Sequence, residues 1–262
     1  MINVFILTFC RNLDLFYGTE LIFKTLRVGF PNARVTVVDN ASLPEVRPEI
    51  ALLARQNDCI FRQLENPGIQ HHDFLQGTLR TAADDSKIDG PVVFLDPDIC
   101  LWDSCEDFSF EGLVAGKAVG KFYCSVTHTI TMPRLHTSFL WIPDAGNLQQ
   151  EIWKIKAAYF DFEPFIPSSF RIDSTWYRFD TGASLYAAIP HTVSYFTEEH
   201  FRCYDHLFCG SHLDWIYSLY DKSSQKMMSE IHDNAKAGNL KALKGVWRYQ
   251  HNVWEKSFPV IP

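Results

Sequence analysis

The chain has 262 residues, 47% of them hydrophobic, 21% charged and 15% aromatic, a balance that excludes a disordered or low-complexity protein. Its formal charge of −7, from 24 Lys and Arg against 31 Asp and Glu, excludes a polyanion binder that uses its whole surface. A chain of this length buries about three-quarters of the surface its unfolded form exposes, so it needs neither disulfides nor a metal to fold, and no apolar run approaches the roughly 18 residues of a membrane-spanning helix.

Residues 2–8 form a short apolar run that reads as a buried strand. Met1-Ile2-Asn3 lacks a basic region and does not read as the start of a signal peptide. Residues 15–28 carry apolar side chains at helical spacing (Leu15, Ile22, Leu26), with Asn12 or Asp14 as the cap and Gly29 and Pro31 as the stop. A second strand is predicted at 34–39, a helix at 45–56 and a third strand at 59–64. Asn66-Pro67-Gly68 marks a turn, followed by a helix at 71–83 and a fourth strand at 91–95. Strands alternating with helices predict an α/β fold with a mostly parallel sheet flanked by helices. Beyond Asp103 the alternation loosens. Residues 117–123 and 138–142 read as strands, 148–159 as a helix, and Pro164 and Pro167 mark an irregular stretch. The last 40 residues read as helical, in an irregular second half packed on the α/β core.

Seven cysteines stand at positions 10, 59, 100, 105, 124, 203 and 209, an odd number with no C-x-x-C pair. They read as reduced thiols of a cytoplasmic protein, several of them buried. A zinc site built from Cys203, Cys209 and the nearby histidines fits no standard ligand spacing.

The most informative segment is Pro91-Val92-Val93-Phe94-Leu95-Asp96-Pro97-Asp98-Ile99, where an apolar strand runs directly into two carboxylates one residue apart. In an open α/β sheet, ligands bind beyond the carboxyl ends of the strands. Pro97 cannot continue a ladder and turns the chain. Carboxylates at i and i+2 around such a turn converge on one hard cation, Mn²⁺ or Mg²⁺, of the kind that bridges to substrate phosphates. The competing reading is a solvated turn, since Asp and Pro both form turns; the apolar strand and its fourth place in the alternation favour the site.

This segment resembles the D-x-D motif of glycosyltransferases of the GT-A fold, whose acids hold a divalent ion on the diphosphate of a nucleotide sugar. The resemblance covers residues 2–100 in order. Thr8-Phe9-Cys10-Arg11-Asn12 is similar to the first nucleotide-contacting loop. Val37-Val38-Asp39-Asn40-Ala41-Ser42 resembles a run of family 2 members in which the acid lies near the base and ribose. Glu65-Asn66-Pro67-Gly68 resembles the Asn-x-Gly segment leading to the D-x-D. Later, His206-Leu207-Phe208-Cys209-Gly210 is similar to the His-Phe-x-Gly segment of family 8, with one extra residue before the glycine. His206 and His212 therefore both stand as candidates for a third metal ligand.

The resemblance implies a single GT-A-like domain, with a nucleotide-sugar-binding half over 1–103 and an acceptor-side half over 104–262. It implies a metal-dependent transferase using a nucleotide-diphosphate sugar, a UDP-sugar first. The acceptor hydroxyl belongs to a glycan, a lipid-linked sugar, a small molecule or, last, a nucleic acid. Thr8, Arg11 and Asp39 would line the base and ribose, although Asp39 also suits a helix cap. His71 and His72 open a helix whose N-terminus favours a diphosphate. Gln76 and Arg80 follow on the same face as His72, and Arg80 would reach a diphosphate oxygen or pair with Asp84. Lys117 and Arg134 flank the later strands as phosphate partners or solvated surface. His136 opens a strand that touches the sugar in family 8.

An inverting transferase needs a carboxylate base on the acceptor side. Asp173 and Asp180 are the candidates, with Asp180 preferred; its competing role is an N-cap. From Asn234 onward the chain carries five basic residues against one acid, with Trp247, Tyr249 and Trp254 interleaved. Lys241, Lys244 and Arg248 are at helical spacing, forming either a face for an anionic acceptor or the wet side of a docked helix. Two rival functions remain. A nucleotidyltransferase would carry a Gly-rich basic loop after the first strand, and residues 8–12 contain no glycine. A non-catalytic nucleotide-sugar-binding module would bind the diphosphate without turnover.

Overall fold

The structure, a computed structural model, describes residues 1–11, 13–64, 71–84, 88–124, 128–148, 150, 169–178, 181–189, 191–207 and 222–245. In chain order the strands are β1 (Asn3–Thr8), β2 (Arg34–Asp39), β3 (Ile60–Gln63), β4 (Val92–Leu95), β5 (Ile99–Leu101), β6 (Val114–Val119), β7 (Phe122–Cys124), β8 (Thr129–Thr131), β9 (Arg134–Ile142), β10 (Ser169–Ile172), β11 (Thr175–Arg178), β12 (Val193–Tyr195) and β13 (Tyr204–His206). The helices are α1 (Phe16–Gly29), α2 (Arg47–Gln56), α3 (His71–Asp84), α4 (Ala183–Ala188), α5 (Glu198–Phe201), α6 (Lys222–Lys236) and α7 (Leu240–Leu243). The fold is mixed α/β, with a mostly parallel seven-stranded sheet in the order β12-β6-β9-β4-β1-β2-β3. This is the expected class. Two smaller sheets, β10-β11-β8-β7 and β13-β5, accompany it.

The chain forms two compact units. The first draws on Met1–Gly68, Leu95–Phe108 and Thr197–Ser257. Its strands β1, β2 and β3 pair in parallel, with Thr8 opposite Asp39 and Asp39 opposite Gln63. Five of the six β1 residues are buried, because a parallel strand covered on both faces needs a continuous apolar run rather than an alternating one. Helix α1 buries Tyr17, Leu21, Ile22, Phe23 and Leu26, and the Phe30 N–H closes it on the Leu26 carbonyl. Its start differs from the expectation. A 3₁₀ turn (Leu13–Leu15) leads in, Leu15 is the N-cap, and no side chain caps the helix, so Asp14 does not serve as one.

Two short strands of this unit escaped the sequence reading, as did β8, β10, β11 and β12 of the other. β5 follows the acidic turn directly, and β13 pairs with it antiparallel, placing Tyr204 opposite Leu101, Asp205 opposite Cys100 and His206 opposite Ile99. Tyr17 and Leu21 of α1, Cys100, Leu207, Met228, Ile231 and Ala235 of α6, and Leu243 form one buried cluster. Gly29 shows how tightly α1 meets β5: a Cβ built there would lie 2.7 to 2.9 Å from three side-chain atoms of Leu101. Gly29→Ala is expected to lower stability by about 1–3 kcal/mol through overpacking, read as a lower urea midpoint at an unchanged slope. An unchanged midpoint would mean that Leu101 moves aside freely.

The second unit comprises Ile69–Phe94, Ser109–Phe196 and Phe258–Pro262. Its centre is the antiparallel pair β6–β9, with an irregularity between Gly116 and Ala118, and β12 joins β6 in parallel. The predicted single strand at 117–123 is thus two, β6 and β7, in different sheets. Phe196 stacks on Phe110 at 5.4 Å and meets the Phe139 ring edge-on at 5.1 Å. The predicted helix at 148–159 lies almost wholly outside the described residues. Among the described residues, no helix is long and apolar enough to cross a membrane.

Candidate metal centre

The carboxyl end of β4 delivers the acidic pair into a turn. Pro97 occupies the first central position, where its fixed φ suits a type I or II turn, and the Ile99 N–H reaches the Asp96 carbonyl at 3.4 Å. The chain then enters β5, and the Leu207 N–H donates to the Asp98 carbonyl at 3.0 Å. Pairing of β13 with β5 therefore brings His206 to the acids: His206 Nε2 lies 3.1 Å from Asp98 Oδ1, both side chains being nearly inaccessible. One ligand atom each from Asp96, Asp98 and His206 lie within 4.8 Å of one another.

The donor set fits a divalent cation. Ligands about 2.1 Å from an octahedral ion stand about 3 Å apart when adjacent and about 4 Å when opposite, spacings that this cluster spans. Two carboxylate oxygens and an imidazole nitrogen suit Mn²⁺ or Mg²⁺, and three protein donors leave positions for phosphate oxygens.

The surroundings concentrate negative charge. Asp205, fully buried, accepts the Trp102 indole N–H and the Gly245 N–H, each at 2.6 Å, on Oδ2. Burial, with the Asp205 and Asp98 charges adding, pushes the Cys100 thiol far above the ordinary range, and it stays protonated. On α6, His232 is buried with its Nε2 3.4 Å from the Leu207 carbonyl, and burial holds its pKa below the usual histidine value. The sequence reading singled out neither Asp205 nor His232.

A second group sits at the carboxyl ends of β1 and β2. The Thr8 hydroxyl lies 3.3 Å from the Val38 carbonyl and 3.4 Å from Asp39 Oδ1. Arg47, the first residue of α2, donates from Nε to Asp39 Oδ2 at 3.0 Å and from Nη2 to the Ser42 carbonyl at 3.0 Å. Ser42 Oγ accepts the Cys10 N–H at 2.9 Å, and the Leu43 N–H donates to the Cys10 carbonyl at 2.8 Å. These bonds stitch the loop after β1 to the loop after β2. Asp39 is buried and does not cap α2, whose N-cap is Val46 without a side-chain bond. Arg11 lays its guanidinium over the Phe9 ring, 4.3 Å from the centroid. Arg47 carried no signal in the sequence beyond its place near a helix start.

The remaining candidates fall elsewhere. His72 and Arg80 lie on α3 of the second unit. His136 is on β9 of that unit, its Nδ1 accepting the Ser138 N–H at 3.2 Å. Asp173 turns the β10–β11 hairpin with φ +53°, and its carbonyl accepts from Arg171 Nε at 2.7 Å. Asp180, His212, the Asn66-Pro67-Gly68 turn and Arg248 with its neighbouring aromatics lie outside the described residues.

No family model and no curated protein matches the chain. Among solved structures it is similar to the galactosyltransferase LgtC in complex with donor and acceptor sugar analogs, at 16% identity over 59% of this chain and 62% of that one, with a TM-score of 0.37. It is similar to the mannosyltransferase PcManGT from Pyrobaculum calidifontis in complex with GDP-Man and Mn²⁺, at 14% identity over 88% and 64%, with a TM-score of 0.40. It is also similar to the glycosyltransferase GlyE of Streptococcus pneumoniae TIGR4, at 11% identity over 76% and 45%, with a TM-score of 0.41. The chain spans less than two thirds of the length of each of these glycosyltransferases. These likenesses are distant, and the chemistry open to the site follows from its own geometry.

Proposed function

We propose that the chain is a metal-dependent glycosyltransferase that takes its sugar from a nucleotide diphosphate, a UDP-sugar first, and passes it to an acceptor hydroxyl. The observation that carries this reading is the cluster that Asp96 and Asp98, on the turn that leaves β4, make with His206 of β13, one ligand atom each within 4.8 Å. Asp96, Asp98 and His206 would hold Mn²⁺ or Mg²⁺, and the ion would offset charge on the leaving diphosphate as a Lewis acid. Thr8 and Arg11, on the loop that Arg47 and Asp39 brace, would receive the base and ribose. Arg80 and His72 are assigned to the diphosphate and His136 to the sugar. Asp180 is assigned as the base that takes the acceptor proton, with Asp173 next.

Two carboxylates and one imidazole make a weak metal site alone, so ion and nucleotide should bind together. Thermal-shift measurements with UDP, GDP and CMP, each with and without Mn²⁺, are expected to show stabilisation by one nucleotide only when Mn²⁺ is present. At a ligand concentration 100 times Kd the gain is about 2.7 kcal/mol, or about 5–10 °C for a protein of this size. A donor-hydrolysis assay then separates the readings. Release of nucleoside diphosphate from the donor supports a transferase, release of pyrophosphate from a nucleoside triphosphate supplied with a sugar 1-phosphate supports a nucleotidyltransferase, and binding without release in either assay supports a non-catalytic module. No shift with any nucleotide and ion would overturn the proposal.

A further inference from the structure

The four-stranded sheet of the second unit turns a tryptophan to the water. β11 alternates between half-buried residues (Thr175, Tyr177) and exposed ones (Trp176, Arg178). A sheet with one wet face ordinarily keeps its apolar side chains on the covered face. Here Trp176 is 43% exposed, whereas the other described tryptophans are buried (Trp141) or half-buried (Trp102). The register names its neighbours. β10 pairs antiparallel with β11, putting Arg171 directly opposite Trp176, and β8 pairs parallel, putting Thr129 on the other side. Residues directly opposite share one face of the sheet, and so do residues two apart on one strand. Trp176 therefore stands between two exposed arginines, Arg171 across the ladder and Arg178 along the strand. The backbone around them is tied down. Arg171 Nε donates to the Asp173 carbonyl at 2.7 Å, the Trp176 N–H to the His128 carbonyl at 2.8 Å, and the Met132 N–H to the Arg178 carbonyl at 3.0 Å.

We propose that Trp176, Arg171 and Arg178 form a binding face for an acidic saccharide. One pyranose ring lies with its C–H face on the indole, and its anionic group is held by the guanidiniums. The indole offers a flat, rigid apolar surface that loses little entropy on contact, while the hydroxyls of the ring stay in water. A guanidinium matches a carboxylate, sulfate or phosphate with parallel N–H donors. The charge is complementary. The hairpin carries two arginines against one acid, Asp173, on a chain whose formal charge is −7. A nucleic acid is the poorer occupant, because single strands are held by successive stacking aromatics along a continuous basic groove, and the chain as a whole repels polyanions. An apolar peptide is poorer still, since it would strip water from two guanidiniums without pairing them.

The face goes beyond the proposed sugar transfer and does not rest on it. It lies wholly in the second unit and needs neither ion nor nucleotide, whereas Asp98 and His206 belong to the first. Binding measured in EDTA without nucleotide therefore tests this inference alone, and the two can fail separately.

The test titrates the full chain, in EDTA and low salt, with a galacturonate tetrasaccharide, a chondroitin sulfate tetrasaccharide and a phosphorylated mannan oligosaccharide, read by calorimetry and tryptophan fluorescence. The methyl ester of the galacturonate tetrasaccharide and a single-stranded DNA oligonucleotide are the controls. At least one acidic saccharide is expected to bind and to change the fluorescence, with an affinity that falls as salt is added. Which of the three binds tightest identifies the anion. The neutral ester should bind at least about tenfold more weakly than the galacturonate or not at all, and Trp176→Ala and Arg171→Gln should each weaken binding at least about tenfold. Both substitutions are at exposed positions, so melting temperatures should stay within a few degrees of the unmodified chain. The unmodified chain decides the matter even if a variant does not fold. No binding of any acidic saccharide at millimolar concentration would overturn the proposal, as would tighter binding of the DNA. Binding that Trp176→Ala leaves unchanged would do the same, as would a dimer of the unmodified chain that Trp176→Ala dissociates.

Discussion

Replacing Asp98 by Asn is expected to lower donor turnover by about 10²–10³-fold while leaving the melting temperature within a few degrees. A bound ion contributes several kcal/mol of charge stabilisation at a leaving group, and each 1.36 kcal/mol is tenfold in rate. Loss of about 3–4 kcal/mol of that stabilisation gives the stated range. The fold should tolerate the change because Asn matches Asp in volume and can still accept a bond from His206 Nε2, which lies 3.1 Å from Asp98 Oδ1. The ion should suffer more, because the amide oxygen carries no charge. Turnover is measured with whichever nucleotide sugar the thermal shifts select, and Mn²⁺ affinity by titration with its nucleotide present. Full turnover in Asp98→Asn, or in the unmodified chain in excess EDTA, would remove the metal from the reading.

The second large effect concerns stability. Asp205→Ala is expected to cost about 2–6 kcal/mol, about 1–3 for each donor left without its acceptor, seen as a fall of roughly 5–20 °C in melting temperature for a chain of this size. Asp205 is fully buried, and its Oδ2 receives the Trp102 indole N–H and the Gly245 N–H at 2.6 Å each. Removing it leaves both donors without that acceptor in a water-poor place, which costs more than the net worth of the bonds. Asp205→Asn keeps a neutral oxygen for them and should lose about half as much or less. If Ala and Asn cost the same small amount, the bonds to Trp102 and Gly245 are replaced by water and the carboxylate does not anchor this part of the chain.

The first hundred residues were largely legible because their signals are local. Strands β1 and β4 are largely apolar runs, α1 carries apolar side chains at helical spacing, and Asp96-Pro97-Asp98 breaks a run abruptly. The metal cluster was half legible. Its two acids follow from that break, but His206 reaches them only because β13 pairs with β5, and strands of three residues are too short to show a period. All three residues of Tyr204-Asp205-His206 are buried, so no alternation betrays them either. Arg47 was hidden for a different reason. Which cation meets a buried carboxylate depends on how two loops fold back on each other, and the Cys10–Ser42 and Arg47–Asp39 bonds are made only after that folding.

The cluster of Asp96, Asp98 and His206 is closed by residues more than a hundred positions apart, and the unit that holds it is assembled from three separated stretches. Contacts of such long range are formed late, because the chain entropy of closing the loop is spent before the contacts reward it. During synthesis, the acidic turn would therefore emerge long before its histidine, and α1 would wait without α6 to cover Tyr17 and Leu21. That interval exposes apolar surface of the kind that draws chaperones and promotes aggregation. A chain interrupted after Phe108 would keep both aspartates and lack the histidine, so the cluster is completed only after about a hundred further residues have been made.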